Sequence, residues 1–161
     1  MVRAMKKRVE KPLEVHCHND FGLAVANTDW GEKWPCMNPD LRVELEKLGV
    51  QIIDRVPYVL HSSVLEGSKW VSPSSEYIVR ETLYSFGRGL KVAVEVVLTA
   101  AACGYIEPYQ DVIGVGGSGS GADSAAIMRA TYPAMIFSKD SNKRLEIREV
   151  IAIPRKKKWY P

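Results

Sequence analysis

The sequence predicts an α/β fold with a mostly parallel sheet. Short apolar runs of strand character alternate along the chain with segments of helical periodicity. One of those runs, 111–115, leads straight into a loop of Gly and Ser, as strands of phosphate-holding α/β proteins do. A length of 161 residues, with 46% hydrophobic and 25% charged side chains, is enough for one domain over 1–161 with a real core.

The elements follow in order. Basic runs at 1–11 and 155–161 read as solvated tails. Pro12 precedes a short strand at 13–18, and 28–39, with Trp30, Trp34, Pro35 and Pro39, reads as a loop. Asn38 caps an amphipathic helix at 40–48 that carries Leu41, Val43, Leu45 and Leu48 and is closed by Gly49. A buried strand follows at 50–54. Pro57, Gly67 and Pro73 break up 55–75.

A helical segment then runs over 76–103, with Ile78, Thr82, Phe86, Ala93, Val97 and Ala100 near helical spacing. Gly87 and Gly89 interrupt it. Each costs about 1 kcal/mol relative to Ala inside a helix, so either the helix breaks there or another backbone packs close. Glu95 lies among valines and needs a partner, which Lys91 one turn back supplies. After the strand at 111–115, residues 124–128 fit either strand or helix, and 144–153 alternates as a closing strand.

Composition excludes several classes. The formal charge of +3 sits largely in the two tails, so no basic face for nucleic acid is expected. Cys17, Cys36 and Cys103 form no CxxC pair, which fits a reduced, cytoplasmic compartment, with Cys103 as a small core residue. No apolar run is long enough to span a membrane. Self-association is expected, through the apolar face of 91–102.

The candidate binding site is the loop itself: Gly116, Gly117, Ser118, Gly119, Ser120, Gly121 and Asp123. Glycines let a backbone approach a ligand with no Cβ in the way. Successive amides and the serine hydroxyls can converge on a phosphate, and Asp123 can accept a ligand hydroxyl or cap the next element. Gly114, Gly116 and Gly119 spell G-x-G-x-x-G, but too little chain follows for a complete dinucleotide fold. No G-K-[ST] is present, so the loop is not a P-loop. The plain alternative is a surface turn. His16 and His18 alternate on the first strand, with Asn19 and Asp20 after them. They are the alternative, metal-binding candidates, with strand-end hydrogen bonding as the plain account.

Two resemblances add to this. The run Ser85-Phe86-Gly87-Arg88-Gly89-Leu90-Lys91, the loop through Asp123 and the strand Arg148-Glu149-Val150-Ile151-Ala152-Ile153-Pro154 resemble the proteins named after the C-terminal domain of pyruvate kinase, over roughly 38–155. That resemblance implies a three-layer α/β sandwich that binds or responds to a phosphorylated molecule (a nucleotide, flavin mononucleotide or a sugar phosphate) and carries no established reaction. The run Val15-His16-Cys17-His18-Asn19-Asp20-Phe21-Gly22-Leu23 resembles the metal-binding strand of the isopropylmalate and homocitrate synthase and hydroxymethylglutaryl-CoA lyase group. There, the residues matching His16 and His18 ligate a divalent metal. That fold is a barrel of about 250 residues, which this chain is too short to build. The expected function is therefore a binding or regulatory module for a phosphate-bearing small molecule. The alternatives are a metal-dependent acyltransferase- or lyase-like remnant and a structural or oligomerisation module. No catalytic residue is assigned.

Overall fold

The structure, a computed structural model, describes the backbone of 15–18 and residues 39–53, 59–60, 74–118 and 121–157. The chain divides into two units, 1–57 and 58–161.

In the first unit, strand β1 (Val15–His18) pairs in parallel with β2 (Val50–Ile53), Val15 opposite Val50 and His18 opposite Ile53. Helix α1 (Pro39–Lys47) lies between them in sequence, as a parallel pair requires a crossover. It ends at Gly49, whose φ of 71° belongs to the left-handed region that glycine enters without cost.

In the second unit the expected long helix is two helices, α2 (Ser75–Tyr84) and α3 (Arg88–Ala102). Ser74 caps α2, its hydroxyl accepting the Tyr77 N–H at 3.3 Å. Gly87, with φ 127°, makes the break and opens α3 with no side-chain cap. The far end of α3 closes on a left-handed Gly104. Its N–H bonds the Ala101 carbonyl, and the Tyr105 N–H bonds that of Ala100, so two otherwise orphaned carbonyls are satisfied. Cys103 is the half-buried C-cap, at the rim of the core rather than inside it.

The α2 cap makes a measurable prediction. The Glu76 carboxyl is held below the usual carboxylate range by its own backbone N–H and then by the Ser74 hydroxyl. A folded pKa below the unfolded one adds stability above the ordinary carboxylate pKa and loses it as pH falls through the folded value. Glu76 is open to solvent, so the effect is small. Ser74→Ala is expected to cost about 1 kcal/mol in denaturant melts at neutral pH. The deficit should shrink at acid pH, where Glu76 is protonated in both proteins.

Strands β3 (Asp111–Gly116), β4 (Ser124–Arg129) and β5 (Glu146–Ala152) form an antiparallel sheet in that order. This corrects the expected mostly parallel, three-layer sheet. The turn from Gly116 to Ser124 is too short for a parallel crossover, which takes about a dozen residues or more, so β4 must fold back on β3. The link from β4 to β5 holds only a 3-10 turn (Pro133–Met135) and a polar stretch, with no helix to carry β5 across. Residues 124–128, open between helix and strand in the sequence, are strand. Ser124, Ala126 and Met128 are buried in alternation with less buried neighbours.

The core forms where α3 lies on β3 and β4. Leu90, Val94, Val97 and Leu98 pack with Ala126, Met128 and Ala130, and Leu83 joins from α2. Gly114 and Gly116 face the helix at alternate positions of β3. A Cβ on Gly114 would stand 2.6 Å from the Ala93 carbonyl oxygen, and one on Gly116 would stand 2.2 Å from that of Gly89. These glycines let helix and strand backbones touch. Most of 91–102, the face expected to self-associate, is consumed by this packing. Lys91 is fully buried and pairs with Glu95 at 2.6 Å, as their spacing implies.

Strand β5 is one margin of the sheet and carries two bulges. Ala126 faces Val150 and Ala125 faces Ala152, leaving out Ile151. Ile127 faces Glu149 and Met128 faces Ile147, leaving out Arg148.

Candidate functional site

The predicted loop is the turn of the β3–β4 hairpin. Gly116 is the last residue of β3 and is buried against α3. Gly117 follows it in close contact with the far side of the turn: a Cβ there would lie 1.9 Å from the Gly121 carbonyl oxygen. Ser118 is buried, and Gly119 and Ser120 lie outside the described residues. Gly121 has φ 87° and open space around it, so its need is conformational.

Asp123 organises this turn. Its N–H bonds the Gly116 carbonyl at 2.9 Å, which closes the hairpin. Its carboxylate accepts the Ser118 N–H at 3.1 Å and the Ser124 hydroxyl at 2.8 Å. The same carboxylate packs against the first turn of α3. A Cβ on Gly89 would fall 1.9 Å from Asp123 Oδ1 and 2.4 Å from Ser124 Oγ. A negative group there meets the positive end of the helix dipole. The structure thus brings Gly116, Gly117, Ser118, Gly121 and Asp123 together with Gly89 and Ser124, two residues the loop motif does not contain. The pattern Gly87-x-Gly89 was the available signal for Gly89, since a glycine inside a helix marks a close approach.

His16 and His18 occupy alternate positions of β1, opposite Gln51 and Ile53. Their side chains lie outside the described residues, as do Asn19, Asp20 and His61. Among the described residues, no group of three or more His, Cys, Asp and Glu could hold a metal ion. No described helix is long and apolar enough to cross a membrane.

At the opposite end of the hairpin lies a cleft of about 500 Å³ that the sequence does not announce. Tyr109, Gln110, Asp111, Arg129, Asn142 and Arg148 line it. Arg148 donates from Nε to Asp111 at 3.1 Å and from Nη1 to Glu146 at 2.9 Å. The bond to Asp111 holds the guanidinium pKa still further above its ordinary value. Arg129 pairs with Glu146 at 3.0 Å and donates to the Ser141 carbonyl. These residues come from separate segments, so only the strand register unites them.

No known protein-family profile matches the chain. Short matches to curated proteins exist. One is 58% identical over 33 residues, 20% of this chain and 7% of the relative, a provisionally named (R)-citramalate synthase of Archaeoglobus fulgidus. A 2-isopropylmalate synthase of Methanocaldococcus jannaschii is 57% identical over 28 residues, 17% of this chain and 5% of that protein. A probable 2-isopropylmalate synthase of Archaeoglobus fulgidus is 54% identical over 28 residues, 17% of this chain and 6% of that protein. A short segment of the chain therefore resembles the isopropylmalate and citramalate synthases, and the chain spans only a small fraction of their length.

Proposed function

We propose that the chain is a binding module that takes up a small phosphate-bearing molecule at the β3–β4 hairpin, with Asp123 filling the anion position until the ligand arrives. One observation carries this reading. The Ser118 amide, the Ser124 hydroxyl and the start of α3 converge on a single carboxylate. Groups that hold one oxyanion are suited to another, and a phosphate would displace Asp123 to reach them. Flavin mononucleotide, other nucleotides and sugar phosphates all carry that group.

The same contacts favour a structural reading, in which Asp123 is a permanent brace and the glycines serve only packing. Calorimetric titration with inorganic phosphate, flavin mononucleotide, a nucleoside monophosphate and a sugar phosphate separates the two. Binding to the parent protein is expected for at least one probe, and Asp123→Asn should bind it about tenfold more tightly, because the competing charge is gone. If neither protein binds any probe, the hairpin is a brace.

A third reading rests on the short matches to the synthases. In it, His16 and His18 keep a divalent metal as part of an acyltransferase- or lyase-like remnant. Near-stoichiometric metal in the purified protein, lost in His18→Ala, would support it.

A further inference from the structure

We propose that the cleft at the open end of the hairpin is a second binding site, for a small hydroxylated organic anion held between Arg148 and Arg129. Three independent features meet there. The first is the cleft itself, an open depression of about 500 Å³ lined by polar groups, most of them exposed.

The second is a bulge in β5 that leaves Arg148 without a partner residue on β4. Bulges re-aim side chains and are over-represented beside functional sites. The third is Tyr109, a non-glycine residue at φ 68° in the cleft wall. Such a conformation costs on the order of 1–2 kcal/mol and persists only where its surroundings impose it. Here the Tyr109 N–H bonds the Ala130 carbonyl at 2.7 Å, and the Gln110 carbonyl accepts the Ala130 N–H at 2.8 Å.

The chemistry of the lining selects the ligand. Two guanidiniums are planar forks matched to a carboxylate or a phosphate, and both are oriented in advance by Asp111, Glu146 and the Ser141 carbonyl. Asp111 and Glu146 together balance the charge of the two guanidiniums, so the cleft suits at most one anionic group, held by the directed N–H donors that the ion pairs leave over rather than by net charge. The Asp111 carboxylate can accept a ligand hydroxyl, and the Gln110 and Asn142 amides can donate to or accept from others. With so polar a wall, the ligand is a compact polyol acid or phosphate ester and not an apolar molecule.

The site is distinct from the hairpin turn. β3 is six residues long, so at roughly 3.3 Å per residue its two ends lie about 17 Å apart.

The test is a nuclear magnetic resonance titration of ¹⁵N-labelled full-length chain with glycerol 3-phosphate, glycerate and inorganic phosphate, at constant ionic strength. A saturable shift is expected at the Arg148 Nε–H and the Asn142 side-chain amide for at least one of the two hydroxylated anions, with inorganic phosphate binding more weakly. The phosphate and carboxylate probes show which anionic group the arginines prefer. Arg148→Gln, a change at a half-exposed side chain, should weaken binding at least tenfold. Asn142→Ala, which touches neither ion pair, should weaken it severalfold. No saturable shift with any probe, or unchanged binding in both variants, overturns the proposal. Inorganic phosphate binding as tightly as glycerol 3-phosphate overturns the selection for a hydroxylated anion. The Ser118 and Ser124 amides report on the hairpin separately, so either site can fail alone.

Discussion

Gly116→Ala is expected to destabilise the second unit by about 3 kcal/mol or more, a large fraction of the stability of an ordinary domain. The added methyl would meet the Gly89 oxygen at 2.2 Å, the Ala93 nitrogen at 2.5 Å and the Val92 carbonyl carbon at 3.0 Å. All three are backbone atoms of α3, so no side chain can swing aside, and the helix must lift off the sheet. Gly104→Ala is the control. There φ is 74° with nothing within 4 Å, so only conformational strain of about 1–2 kcal/mol is expected. Denaturant melts of the two variants measure the difference. Equal losses would show that α3 and β3 do not approach as described.

Lys91→Met is expected to cost about 3–5 kcal/mol, because it strips the ammonium from a buried carboxylate. Lys91 is fully buried and Glu95 is 6% exposed. Their contact of 2.6 Å lies one helical turn apart in the middle of an apolar helix. The Tyr84 ring stands 6.0 Å from the Lys91 ammonium, and burial pushes the Tyr84 phenol pKa up. The double variant Lys91→Met/Glu95→Leu should recover most of the loss, since a well-packed apolar pair replaces a buried ion pair at little cost. A Lys91→Met protein as stable as the parent would mean that water reaches Glu95.

Much of this was legible in the sequence because it depends on neighbours along the chain. The apolar runs at β1, β2, β3 and β5 announce strands, Gly87 announces a break, Gly104 a helix end, and the spacing of Lys91 and Glu95 an ion pair. The direction of the strands was not legible from those runs. It follows from what joins them: a short turn after Gly116 and a link without a helix after Arg129. Ser124, Ala125 and Ala126 are small enough to suit helix or strand, so that segment gave no warning.

The glycine-rich motif suits a ligand and a neighbouring helix alike, because a close approach by phosphate and one by a helix backbone demand the same thing, a missing Cβ. Gly114 and Gly116 answer to the helix. The arginine cleft left no mark in the sequence, since Tyr109, Arg129, Asn142 and Arg148 meet only once the register and its bulge are set.

The irregular pairing of β5 also bears on how this protein behaves in a crowd. An open strand margin offers backbone groups to any passing strand, and an evenly spaced one templates fibrillar growth. Along β5 the spacing is broken twice, at Arg148 and at Ile151, and a charged residue, Glu149, sits between the breaks. A second chain trying to zip onto this edge would lose step after a few residues and meet a charge where it needs an apolar contact. The bulges at Arg148 and Ile151 therefore also make this margin of the sheet a poor template for a passing strand.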